Sequence, residues 1–81
     1  MPSLRVLLFA SYADAFGAPF VDVDIAPGAR VRDVLDSVLS RSGDRPLPRA
    51  PMMAVNSEYA HLDDAVNAGD EVAIIPPVAG G

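Results

Sequence analysis

Two hydrophobic periods run through this chain, one of two residues and one near 3.6, and together they predict its elements. Leu4, Val6, Leu8 and Ala10 share one face of a first strand, with Arg5, Leu7 and Phe9 on the other. That second face carries one charge and two large apolar groups, too apolar to be wholly solvated. Ser11 to Asp14 offers a capping-box-like start, with Asp in place of Glu, for a short helix that Gly17 ends. Phe20 to Ile25 alternates cleanly: Val21, Val23 and Ile25 point inward, Asp22 and Asp24 to water. Its closeness to the first strand predicts an antiparallel pair.

The longer period appears next. Val31, Val34, Leu35, Val38 and Leu39 form one apolar stripe of a helix that Gly43 ends. Its N-cap is not evident, since Gly28 and Ala29 are both weak. Three prolines between Asp44 and Pro51 exclude a helix or a central strand there, and Leu47 alone could reach the core. Met52 to Val55 reads as a short strand, Asn56-Ser57 as a tight turn and Glu58 to His61 as a returning strand. Leu62 to Ala68 connects to a last strand through Val72, Ile74 and Ile75.

This order predicts one α+β domain over residues 1–81, a β-grasp with a mixed sheet of about five strands packed on one main helix. The first and last strands become parallel central neighbours. Val72 and Ile74 then face the helix, while Leu7, Phe9 and Ile75 share the far side as an apolar patch. Patches of that kind mark partner surfaces.

After Ile75 the chain changes character. Pro76 and Pro77 cannot donate to a sheet ladder and stop the strand. Val78, Ala79, Gly80 and Gly81 are uncharged and shrink towards the terminal carboxylate. Residues 76–81 are therefore expected to form a flexible tail, slim enough at Gly80-Gly81 for a channel too narrow for a Cβ.

Composition narrows the chemistry. There is no cysteine, so no disulfide and no thiolate metal site can form. The longest apolar runs, such as Val6 to Ala10, fall far short of a membrane span. A single Arg and a short apolar run do not make a secretory signal, so a cytoplasmic protein is expected. The net charge of −5 argues against nucleic acid and for a basic protein partner or plain solubility. Asp22 and Asp24 lack a third ligand nearby in sequence, so they read as a solvated face rather than a metal site. His61, the only histidine, has no catalytic partner spaced around it. With no nucleophile–base pair and no phosphate-cradling glycine loop, the chain alone is expected to be non-catalytic. Every basic residue is Arg, so neither a lysine nor a cysteine can capture an activated C-terminal carbonyl in cis.

The block Ala68-Gly69-Asp70-Glu71-Val72-Ala73-Ile74-Ile75-Pro76-Pro77-Val78-Ala79-Gly80-Gly81 resembles the end of the molybdopterin synthase small subunit family, which are ubiquitin-like sulfur carriers. Leu7 to Ala10 and Ala54-Val55-Asn56 extend the resemblance from end to end. It implies the ubiquitin-like fold and a chemistry done to Gly81 by others. An E1-like adenylating enzyme would use ATP to activate Gly81; the chain itself would bind no cofactor. A sulfur donor, such as a cysteine desulfurase or rhodanese-like protein, would then yield a thiocarboxylate. Inserted into a larger synthase subunit within a heterotetramer, that sulfur would build the dithiolene of molybdopterin from cyclic pyranopterin monophosphate. On this reading Gly81 carries the sulfur, Gly80 gives clearance, and Val78 and Ala79 fit the channel. Leu7, Phe9, Ile75, Pro76 and Pro77 dock the body. Two alternatives remain: a sulfur carrier for thiamine thiazole or cysteine synthesis, and a ubiquitin-like modifier joined to lysines of other proteins.

Overall fold

The computed structural model describes residues 2–43, 47 and 51–76. In chain order the elements are β1 (Ser3–Leu8), α1 (Ser11–Phe16), β2 (Phe20–Asp24), α2 (Val31–Arg41), β3 (Met52–Val55), β4 (Glu58–Ala60) and β5 (Glu71–Ile75). They form one five-stranded sheet in the order β2-β1-β5-β3-β4. The β1–β5 pair is parallel and the others antiparallel, as the β-grasp expectation required.

One face of this sheet and one side of α2 close the core. Leu4, Val6 and Leu8 of β1, Val23 of β2, Met53 of β3, and Val72 and Ile74 of β5 cluster with Val31, Val34, Leu35 and Val38 of α2. Each such side chain contributes about 1.5–3 kcal/mol on burial. Three of those four α2 residues are valine, a stiff helix former, so packing rather than propensity holds the helix. Leu39 and Leu47 lie at the border of the cluster, half-buried. Tyr12, fully buried, closes the cluster from α1. Burial pushes its phenol above the usual tyrosine range.

Three local expectations change. The first strand ends at Leu8, and Ala10 is exposed with φ 49° rather than facing the core. Ser11 is the first helical residue, not the cap; Ala10 holds the cap position with no side-chain hydrogen bond. The cap of α2 is Arg30, neither Gly28 nor Ala29.

The chain's own loop satisfies that helix end. The Arg30 N–H donates to Asp33 Oδ2 at 2.9 Å. The Val31 N–H reaches the Asp64 carbonyl (2.9 Å), the Arg32 N–H that of Leu62 (3.0 Å) and the Asp33 N–H that of Arg30 (2.9 Å). All four orphan donors of the helix start are thus engaged, which leaves no N–H pole for an anion. The Arg32–Asp63 ion pair and the Val66 N–H to the Ala29 carbonyl (3.0 Å) tie the same loop down.

Asn56 has more than a turn role. It and Ser57 sit at φ 51° and 73°, the geometry of a two-residue hairpin. Its N–H donates to the Glu71 carbonyl at 2.8 Å. The return bond, Glu71 N–H at 3.0 Å, goes to the Asn56 side-chain Oδ1, while Nδ2 reaches Asp70 Oδ1 at 3.2 Å. One side chain therefore extends the β3–β5 ladder past the point where the backbone leaves it. Asn56→Ala should cost about 1–3 kcal/mol in urea unfolding, through two lost hydrogen bonds and a strained left-handed residue. Asn56→Gly should recover only the backbone part.

Candidate functional site

Alternation along the strands places every second residue on the face away from α2. The registers then set these residues side by side. Phe20 lies opposite Leu7, Leu7 opposite Ala73, Ala73 opposite Ala54 and Ala54 opposite Tyr59. Met52 lies opposite Ile75. Leu7, Phe9, Ala54, Tyr59, Ala73 and Ile75 line one open groove. The structure therefore brings Leu7, Phe9 and Ile75 together.

This face is apolar where a solvated sheet face would be polar. Among the described residues five large hydrophobics are exposed: Phe9 (46%), Phe20 (38%), Met52 (50%), Tyr59 (74%) and Leu62 (45%). The first four lie on this one face, which is the concentration expected of a docking surface rather than of scattered apolar residues. Beside β4 the apolar surface continues round the sheet edge over Leu35, Met53 and Leu62. Sequence reasoning missed Tyr59 and Met52. Both lie in strands of three or four residues, too short for alternation to reveal which side is outward.

The root of the tail adjoins this face. Ile75 is half-buried, and Pro76 is buried in the domain itself. Pro76 is thus an anchor of the exit rather than an exposed docking residue. Pro77, Val78, Ala79, Gly80 and Gly81 lie outside the described residues, as does most of the predicted flexible tail.

Further back the face becomes charged. Arg5 sits over the Phe20 ring, 4.1 Å from its centroid, with Nε 3.8 Å from Asp22 Oδ1. Stacking of this kind holds an exposed aromatic ring in place. On the free edge of β2, Arg41 Nη1 donates to the Asp22 carbonyl at 2.8 Å. That contact blocks a backbone group able to recruit another strand.

Among the described residues no three His, Cys, Asp or Glu side chains lie together as a metal cluster. His61 is exposed, and its backbone N–H donates to Asp64 Oδ2 at 2.9 Å. No described helix is long and apolar enough to cross a membrane.

Comparison with known proteins follows the same outline. Residues 6–81 match the ThiS family. The chain is 35% identical over 82 residues to the molybdopterin synthase sulfur carrier subunit of Drosophila erecta, covering 98% of this chain and 91% of that protein. It is 36% identical over 83 residues to small archaeal modifier protein 1 of Haloferax volcanii, covering 91% and 95%. The crystal structure of SAMP1 from Haloferax volcanii superposes with a TM-score of 0.80 at 35% identity, covering 98% of this chain and 99% of that one.

If the outer face is a surface and not a second core, charge should be tolerated on it. Phe9→Asp should shift unfolding free energy by less than about 1 kcal/mol. Val72→Asp, which buries an unpaired charge on the opposite face, should abolish the cooperative thermal transition.

Proposed function

The chain belongs to the ThiS family, and from that we propose that it is the sulfur carrier subunit of molybdopterin synthase, with Gly81 as the group that carries sulfur. The observation that supports this reading most is the continuity of the family match through Gly81, on a strand that leaves the sheet beside an exposed apolar face.

A carboxylate is a poor electrophile, so Gly81 is first activated. An adenylating enzyme joins it to AMP from ATP and releases pyrophosphate. Sulfide equivalents from a donor protein attack the acyl carbon, AMP leaves, and a thiocarboxylate remains. In the large subunit that sulfur forms a C–S bond with the pterin precursor as an oxygen substituent leaves the same carbon; water then cleaves the acyl C–S bond, the sulfur stays on the pterin, and the carboxylate returns. The chain supplies reach, clearance and docking. Leu7, Phe9, Ile75 and Pro77 hold the body against the partner, Pro76 fixes the exit, Val78 and Ala79 span the channel, and Gly80 leaves it unobstructed. With neither Lys nor Cys, no side chain of its own competes for the acyl group.

A second reading has specific support. The identity to small archaeal modifier protein 1 is as high as that to the molybdopterin synthase subunit. Joining of Gly81 to amines of other proteins is therefore the alternative, and delivery of sulfur to another pathway is the nearer one.

Incubation with the adenylating enzyme, ATP and a sulfur source should raise the intact mass by the exchange of one oxygen for sulfur. Fragmentation should place that change on Gly81. Addition of the large subunit and precursor should reverse it as dithiolene appears. Recovery of Gly81 in isopeptide linkage to many proteins, with no such mass change, would favour the modifier.

Gly80→Val should stop sulfur transfer and leave the thermal midpoint unchanged, because the residue lies beyond the last strand. Ile75→Asp should weaken binding to the large subunit by about 2 kcal/mol, the scale of an interface hot spot. Full transfer by the valine variant would show that clearance at residue 80 is incidental.

A further inference from the structure

Three non-glycine residues have positive φ among the described residues: Ala10, Asn56 and Ser57. Asn56 and Ser57 form the hairpin turn, where that geometry is usual. Ala10 is the exception. At φ 49° and ψ −122° it lies outside the left-handed helical region, in the mirror image of extended backbone. The Tyr12 N–H donates to the Phe9 carbonyl at 3.0 Å, which closes residues 9–12 as a type II′ turn with Ala10 in its second place. That place favours glycine, because a Cβ there crowds the backbone.

Burial on both sides enforces the strained geometry. Leu8 before the turn and Tyr12 after it both belong to the core. The Ala10 carbonyl also accepts the Asp14 N–H at 3.0 Å, which starts α1. Ala10 itself is exposed, so packing of its own side chain does not offset the strain. The location matters too. Leu8 is level with Ile74, so Phe9 and Ala10 leave the ladder at the same end as Ile75 and Pro76. Phe9 lines a groove with Ile75. A strained backbone residue thus sits directly behind the exposed ring, beside the root of the tail.

We propose that Ala10 is a positioning residue for Phe9, a strained joint that relaxes when the large subunit takes up the ring. In the relaxed turn Ala10 passes to negative φ and the bond from the Tyr12 N–H to the Phe9 carbonyl opens. Phe9 turns with its peptide, while Leu8 and Tyr12 stay buried. Strain held in the free chain is then released on docking and adds to affinity, since a partner gains whatever free energy separates the two states in its favour. The proposal rests on the docking role given to Phe9 above, and it means that the domain does not dock as a rigid body. A residue at position 10 that fits the turn without strain has nothing to release. It must therefore stabilise the free chain and weaken the complex together, a pair of opposed effects that a purely structural role would not produce.

The test compares the parent, Ala10→Gly and a synthetic chain with D-alanine at residue 10, whose mirror-image preference suits φ 49°. Thermal unfolding should place the midpoint of the D-alanine chain about 4 °C or more above the parent. The glycine variant should fall between them, because glycine also loosens the unfolded chain. Titration into the purified large subunit should show both variants binding about threefold or more weakly than the parent. Carbon chemical shifts of Ala10 in the parent, which follow φ and ψ, should move to those of negative φ in the complex. A D-alanine chain no more stable than the parent overturns the proposal, as do variants that bind like the parent or Ala10 shifts that stay unchanged on docking. If the parent binds and only these effects are missing, the docking role of Phe9 stands and the joint falls. If the parent does not bind the large subunit at all, both fall.

Discussion

The parallel pairing of β1 with β5 is the contact on which the rest of this domain depends. It joins the two ends of the chain in the middle of the sheet, with Arg5 to Leu8 level with Glu71 to Ile74. Each strand buries its inward residues completely or nearly so: Val6, Val72 and Ile74 are inaccessible, and Leu4 and Leu8 almost so. A one-residue slip of β5 would expose Val72 and Ile74 and turn Ala73 and Ile75 into the core. Hydrophobic burial thus fixes the register, and the register fixes where the tail leaves the sheet. The exit of β5 at Ile75 and Pro76 follows from packing against β1, tens of residues away in sequence.

The same constraint explains why the loops are tied rather than loose. A parallel neighbour requires a long crossover, and here the crossover contains α2, β3, β4 and the loop after them. That loop supplies carbonyls to the first turn of α2, and Asn56 supplies a side-chain amide to the first residue of β5. Each bond satisfies a backbone donor that the sheet or helix leaves unpaired. The interior is closed on one face only, and the outer face keeps its large apolar residues exposed. Its exposed Phe9, Phe20, Met52 and Tyr59 cost solubility, which the excess of acidic residues offsets.

A domain of this size that has no catalytic constellation among its described residues still has a defined chemical task in the proposed function. Its part is geometric: a sheet, an exit at the buried Pro76 and a sequence beyond it that ends in two residues without side chains. The partition resembles that between scaffold and site in enzymes, with the site placed in the partner. On the outer face one guanidinium, that of Arg5, meets both the Phe20 ring and the Asp22 carboxylate.

Local periodicity alone determined most of the fold. The alternation in Leu4 to Leu8 and Phe20 to Asp24, and the stripe from Val31 to Val38, name the buried residues, because side-chain direction in a strand or helix repeats with a fixed period. Prolines and the Asn56-Ser57 pair mark the breaks for equally local reasons. The family likeness of the last fourteen residues was legible too, as a contiguous string. Tertiary structure decided the rest. Arg30 serves as the cap of α2 because Asp33 and the Leu62–Asp64 carbonyls gather round it. Tyr12 is core because α1 folds back over the sheet. Tyr59 and Met52 face outward because of their partners in β3 and β5. These facts depend on residues that meet in space at separations no sequence period encodes, so only the packed chain contains them.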